Sequence, residues 1–162
     1  SLGWAKLGYV AITMLPPLGI HLIYQLSDDK IRWIPVLCYI LAALFVGYFL
    51  LEAEGVKAGA CLGNYVIFEN RDEFYPIYAG YYYGLLIIAI VYAYIQSKAA
   101  VKNIRRSLCS LMIGYILFMV PTTFVNIVDP STISGIPSIM CGFAVLLAAA
   151  LAGKVLPEYF DK

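Results

Sequence analysis

The sequence predicts an all-α integral membrane protein, one bundle of five transmembrane helices spanning residues 1–162 as a single domain. Three observations predict it. Hydrophobic residues make up 62% of the chain and charged residues 13%, whereas a water-soluble domain is about half apolar and a quarter charged. Five apolar stretches each reach the roughly 20 residues that a helix needs to cross hydrocarbon. The charged residues collect in the connections between those stretches. Bilayer interiors leave an open chain only the helix as a way to satisfy its backbone groups, so each stretch reads as a helix without a periodicity test.

The first stretch, residues 3–26, lacks a basic leader and a small-residue cleavage site, so it reads as a retained helix rather than a signal segment. Its centre, "MLPPLGIHLIYQL", carries Pro16 and Pro17, which remove backbone donors and bend the helix. The carbonyls they free need partners inside the bundle. His21 follows, the single histidine of the chain. An ionisable side chain within a membrane is a candidate for function, and a lone imidazole serves equally as a hydrogen-bonding group between helices. The second stretch, 33–53, opens on Trp33 and ends at Glu52 and Glu54, which read as a solvated helix end.

The connection from Glu54 to Phe74 holds Glu54, Glu69, Asp72 and Glu73 against Lys57 and Arg71. The third stretch, 75–96, begins in a crowd of aromatic residues that includes Tyr78, Tyr81, Tyr82 and Tyr83. These suit an interfacial belt, since the rings are apolar and the hydroxyls wet. The sharper alternative is the wall of a pocket roofed by the preceding connection. Gly80 and Gly84 stand four apart within "GYYYG", a spacing that lets helices approach closely.

"SKAAVKNIRRS" joins the third and fourth stretches and carries Lys98, Lys102, Arg105 and Arg106 with no acid. The positive-inside rule places it in the cytoplasm. With Lys30 and Arg32 on the same side by parity, the N-terminus lies outside and the C-terminus inside. The fourth stretch, 108–128, closes with "VPTTFVNIVDP", where Thr122, Thr123 and Asn126 can bond across helices or back to their own backbone. Together with Tyr78 and Tyr82, Thr122 and Asn126 form the candidate ligand site, opening outward. The fifth stretch, 136–156, places Ala144, Ala148 and Ala152 four apart, a smooth face for a neighbouring helix or a partner chain.

A net charge of +1 gives no reason to expect a nucleic-acid partner. Cys38, Cys61, Cys109 and Cys141 form neither a CxxC pair nor a cluster with histidine, so neither a metal nor a redox centre is expected, although Cys61 and Cys141 both lie toward the outer side and could pair. No nucleophile elbow, zinc motif or phosphate-binding loop is present, so an enzyme and a cofactor are not expected. The expected partners are membrane lipids and another membrane protein or a second copy of the chain.

Several segments resemble a known family. "SLGWAKLGYVAITMLPPLGIHLIYQL" is similar to the third helix of the seven-transmembrane sensor region at the N-terminus of some bacterial histidine kinases and diguanylate cyclases, through Gly3, Trp4, Pro16, Pro17 and His21. The stretch around Arg105, Arg106, Gly114 and Asn126 resembles that region's sixth helix, and "GIPSIMCGFAVLLAAALAGKVLP" its seventh. The resemblance covers a five-helix portion, without a kinase domain. It implies a sensor-like or accessory module of the bacterial inner membrane, non-enzymatic, signalling through its last helix. The alternative from composition is a structural subunit of a larger membrane complex.

Overall fold

The computed structural model describes residues 2–27, 31–52, 56–62, 65–70, 74–128 and 144–160. Helix α1 covers Leu2–Ser27, α2 Trp33–Leu51, α3 Tyr75–Ala99 and α4 Lys102–Val128. All four are long and apolar enough to cross a membrane, so the chain is a multi-pass membrane protein by length and composition. A fifth helix, α5, is described over Ala144–Val155 and continues through Leu156–Phe160. Residues 136–143, which the sequence assigns to the fifth span, lie outside the described residues.

Contacts between neighbouring helices show that they alternate in direction. Lys6 meets Glu52, Tyr9 meets Phe49 and His21 meets Tyr39, so α2 runs back along α1. Phe49 meets Phe74 and Phe45 meets Tyr81, so α3 runs back along α2 and hence parallel to α1, which it meets at Thr13. Two residues join α3 to α4 and the two helices pack together, so α4 runs back along α3 and crosses α1 at Gly19 and Tyr115; Ser107 meets Val155 and Gly114 meets Leu147, which sets α5 antiparallel to α4. One end of the bundle thus carries Arg32, Lys98, Lys102, Arg105, Arg106 and Lys154; we call it the basic end.

The opposite end carries an element the sequence reading treated as a loop. Strands β1 (Val56–Leu62) and β2 (Tyr65–Asn70) pair antiparallel, with an irregularity between Ala58 and Cys61. The register sets position 57 opposite 69, a lysine across from a glutamate. β1 lies against α1. The bundle remains helical in class, and the hairpin is an addition to it.

Helix α1 is the most buried of the four spans, because three other helices pack against it. Helix α2 is the most apolar and the least buried. Its buried positions, Pro35, Cys38, Ala42 and Phe49, follow the three-and-four spacing of one helix face, while Val36, Leu37, Ile40 and Leu44 face outward. In α3 the buried face is Tyr78, Tyr82, Leu85, Leu86, Ala89 and Ala93; in α4 it is Leu108, Leu111, Tyr115 and Phe118.

Two boundaries differ from expectation. α4 begins at Lys102 rather than near 108, so the basic residues stand on its first turns and only Ala100 and Val101 connect it to α3. Hydrophobicity marks where a helix enters lipid, not where its hydrogen bonding starts, and Lys and Arg are good helix formers. α3 likewise continues to Ala99.

Candidate functional site

Aromatic rings fill the hairpin end between α1, α2 and α3. Tyr48 stacks on Phe74 at 3.8 Å, and Phe45 lies 4.4 Å from Tyr81. Phe49, fully buried, meets Tyr9 at 5.0 Å and Tyr78 edge-on at 5.1 Å. Such tilted and edge-to-face pairs are the favoured geometries of aromatic clusters. Tyr78 and Tyr82 are each only 2% exposed, so in this conformation they are part of a closed core rather than the wall of an open pocket. Phe45, Tyr48, Phe74 and Tyr81 are half-buried and form its rim.

A polar joint sits within this cluster, and Pro17 explains it. In a regular helix the carbonyl of Thr13 would accept the N–H of residue 17, which proline lacks. The hydroxyl of Tyr81 donates to that carbonyl at 2.8 Å. The Thr13 hydroxyl donates to the carbonyl of Tyr9 at 2.6 Å, which leaves the Tyr78 hydroxyl to donate to Thr13 Oγ1 at 3.0 Å. Tyr81 therefore supplies the donor that Pro17 removes from α1, and Tyr78 bonds the threonine side chain beside it. Thr13 went unremarked in the sequence reading, although its position four residues before Pro17 is the signal that could have found it.

Thr122 is fully buried and bonds the carbonyl of Phe118 at 3.2 Å; the exposed Thr123 bonds that of Met119 at 3.0 Å. Both bonds run back along α4 to the residue four before. The α3–α4 hairpin brings Thr122 to the depth of Tyr78, since Tyr78 lies 22 residues before Ala100 and Thr122 lies 21 after Val101 (100 − 78 and 122 − 101). The side chain of Asn126 lies outside the described residues, as do those of Cys61 and Cys141.

His21 is half-buried and joins α1 to α2. Its Nδ1 lies 3.0 Å from the Tyr39 hydroxyl, and its Nε2 lies 3.2 Å from Nε2 of Gln25, one turn on. With the amide of Gln25 donating to Nε2, the neutral tautomer carries its proton on Nδ1 and donates it to Tyr39. No group of three His, Cys, Asp or Glu side chains that could hold a metal ion gathers among the described residues. Lys6, not singled out in the sequence, reaches from α1 to the end of α2, with Nζ 2.8 Å from the Glu52 carbonyl and 3.4 Å from that of Leu50. A cation on the last carbonyls complements the negative end of the helix dipole.

A Cβ built on Gly80 or Gly84 meets nothing within 4 Å among the described residues. The close approaches fall at Gly19, where a Cβ would overlap the Tyr115 hydroxyl, and at Gly114, where it would meet Ala150 Cβ and Leu147 Cδ1 at 3.1 Å. Accordingly α5 seats Leu147 and Val155 on α4. Ala144 is half-buried, while Ala148 and Ala152 are exposed. Bundle contacts go to the larger residues one position away.

Within α5, Leu151–Val155 form a π-helical turn, closed by the N–H of Leu156 on the carbonyl of Leu151. Pro157 supplies the reason. Its ring would collide with the carbonyl of Gly153 in a regular α-helix, and widening the preceding turn relieves the collision. The buried Ser107 of α4 donates to the Val155 carbonyl at 3.2 Å. Ser107→Ala should weaken this seat by about 1 kcal/mol. Amide exchange across Leu151–Phe160 should then quicken while α1–α3 keep their wild-type protection.

No protein-family model, curated protein or solved structure matches the chain.

Proposed function

We propose that the protein is a non-enzymatic, sensor-like membrane module, set in a bacterial inner membrane with its hairpin end outside. It converts a change in its outer aromatic cluster into a shift of its last helix. The observation that carries this reading is the Thr13–Tyr78–Tyr81 joint. The Tyr81 hydroxyl holds the carbonyl of α1 that Pro17 leaves open, and the Tyr78 hydroxyl holds the Thr13 side chain beside it, so a displacement of α3 is felt directly by α1. An apolar molecule parting the rim rings Phe45 and Phe74 would reach Tyr78 and Tyr82 behind them. α3 passes into α4 through two residues, and α5 rides on α4 through the Ser107–Val155 bond beside a π turn, a feature frequent at functional sites. A partner at the basic end would feel the displacement.

The test is photolabelling with a diazirine-bearing fatty acid in native membranes. Adducts on Phe45, Phe74, Tyr78 or Tyr82 support the reading. Adducts confined to lipid-facing residues such as Leu44, Ile88 and Ile116 overturn it.

A second reading, a structural subunit of a larger complex, is favoured by a different observation. Ala148, Ala149, Ala152 and Gly153 are all exposed on α5, a surface whose small residues let another helix approach closely. Gentle purification that returns a stoichiometric assembly with other membrane proteins would favour this reading over the first.

A further inference from the structure

We infer that the first two turns of α4 form a binding site for an anionic phospholipid, with the phosphate held by Lys102, Arg105 and Arg106 and an acyl chain laid along the helix below them. These three cations and Cys109 stand at positions i, i+3, i+4 and i+7, so they share one face of α4. With Ala100 they line a cleft of about 390 Å³. All three cations are exposed, and none has a carboxylate partner among the described residues. The first turn of α4 contains no acid, so its cations stand at the positive end of the helix dipole with no carboxylate of their own turn to offset them. An anion supplied from outside the chain removes that penalty. Arg adds a planar fork that holds two phosphate oxygens at once.

What distinguishes a lipid from a soluble phosphate is the surface beyond the cations. The same face of α4 continues past Cys109 into Ile113, Ile116, Leu117 and Val120, all exposed. A bound phospholipid therefore meets charge at its headgroup and an apolar stripe along its chain, in the right order and at the right depth. Juxtamembrane clusters of basic residues bind anionic headgroups at about a fivefold gain per cation. On the other side of Lys102, a second cleft of about 320 Å³ is closed by Tyr159 of α5. Headgroup occupancy thus falls beside the end of the last helix, and Ser107, next to Arg106, holds the turn before it.

The experiment uses the full chain in phosphatidylcholine vesicles, with spin-labelled phosphatidylglycerol or spin-labelled phosphatidylcholine as the probe. The motionally restricted fraction gives the relative affinity. Phosphatidylglycerol should be preferred at least tenfold at low salt, and the preference should fall with ionic strength. Arg105→Gln/Arg106→Gln should lower it by roughly 30-fold at most and bring it near that of phosphatidylcholine. Arg105→Lys/Arg106→Lys, which keeps the charge, should retain most of it. An unchanged unfolding temperature shows that either variant is folded. Equal restriction of the two lipids overturns the inference, as does a preference that survives the Gln pair. Complete displacement of phosphatidylglycerol by millimolar inorganic phosphate overturns the lipid assignment in favour of a soluble anion.

Discussion

Gly19→Ala is expected to destabilise the folded bundle by about 3 kcal/mol, the upper end of what overpacking a buried site costs, and Gly19→Leu to leave little folded protein. The reason is the crossing of α1 and α4. A Cβ at position 19 would fall on the hydroxyl of Tyr115 and lie 2.8 Å from its ζ carbon. Tyr115 is 2% exposed, so its ring cannot swing aside without displacing other core groups. The partner is known, which makes the claim sharp. Tyr115→Phe removes only the hydroxyl and should relieve the clash in part, whereas Tyr115→Leu shortens the side chain and should relieve most of it. Unfolding of the four combinations in mixed micelles gives the coupling between the two sites. A coupling above about 1 kcal/mol is expected for residues in contact. Simple additivity of Gly19→Ala with Tyr115→Leu would show that the two helices do not meet there.

Four of the five spans were legible because lipid imposes length and apolarity on each crossing, and "WIPVLCYILAALFVGYFLL" meets both demands without help from its neighbours. Which side of each helix faces inward was not legible. In water the polar face names the outside, but here Val36 and Leu44 face outward and Phe49 inward with equal apolarity. The hairpin was missed for a local reason. Tyr65–Phe68 is rich in β-forming residues, and Gly63-Asn64 sits between two extended runs, a pairing typical of two-residue hairpin turns. Reading the segment only for its charge hid that pattern.

The candidate site was legible in its residue types and not in its arrangement. Tyr78 reads from the sequence as part of an interfacial belt or of a pocket wall; the structure buries it beside Phe49, with its hydroxyl donating to Thr13. Proline arithmetic, four residues back from Pro17, leads to Thr13 from the sequence alone. It cannot supply Tyr81, because that partner lies 68 residues away and depends on the parallel course of α1 and α3. His21 was readable as an interhelical hydrogen-bonding group, but Tyr39 as its partner required the α1–α2 register. Small-residue spacing alone does not single out a crossing point: among the described residues the close approaches fall at Gly19 and Gly114.

Tyr81→Phe is expected to cost about 1–2 kcal/mol, more than the average interhelical hydrogen bond in a membrane protein, because it leaves the Thr13 carbonyl without a donor in a dry interior. The ring itself stays, and with it the 4.4 Å contact to Phe45. The cost should therefore report on the hydroxyl alone. If that hydroxyl replaces the donor missing from Pro17, then Pro17→Ala should make it redundant. Tyr81→Phe in a Pro17→Ala background should cost less than half as much. Pro16→Ala provides the control, since it restores a donor to the carbonyl of Ile12 and not to that of Thr13. In that background the full cost of Tyr81→Phe should persist. Equal costs in all three backgrounds would detach Tyr81 from the broken turn. They would also remove the joint through which a change among the outer rings could reach α1.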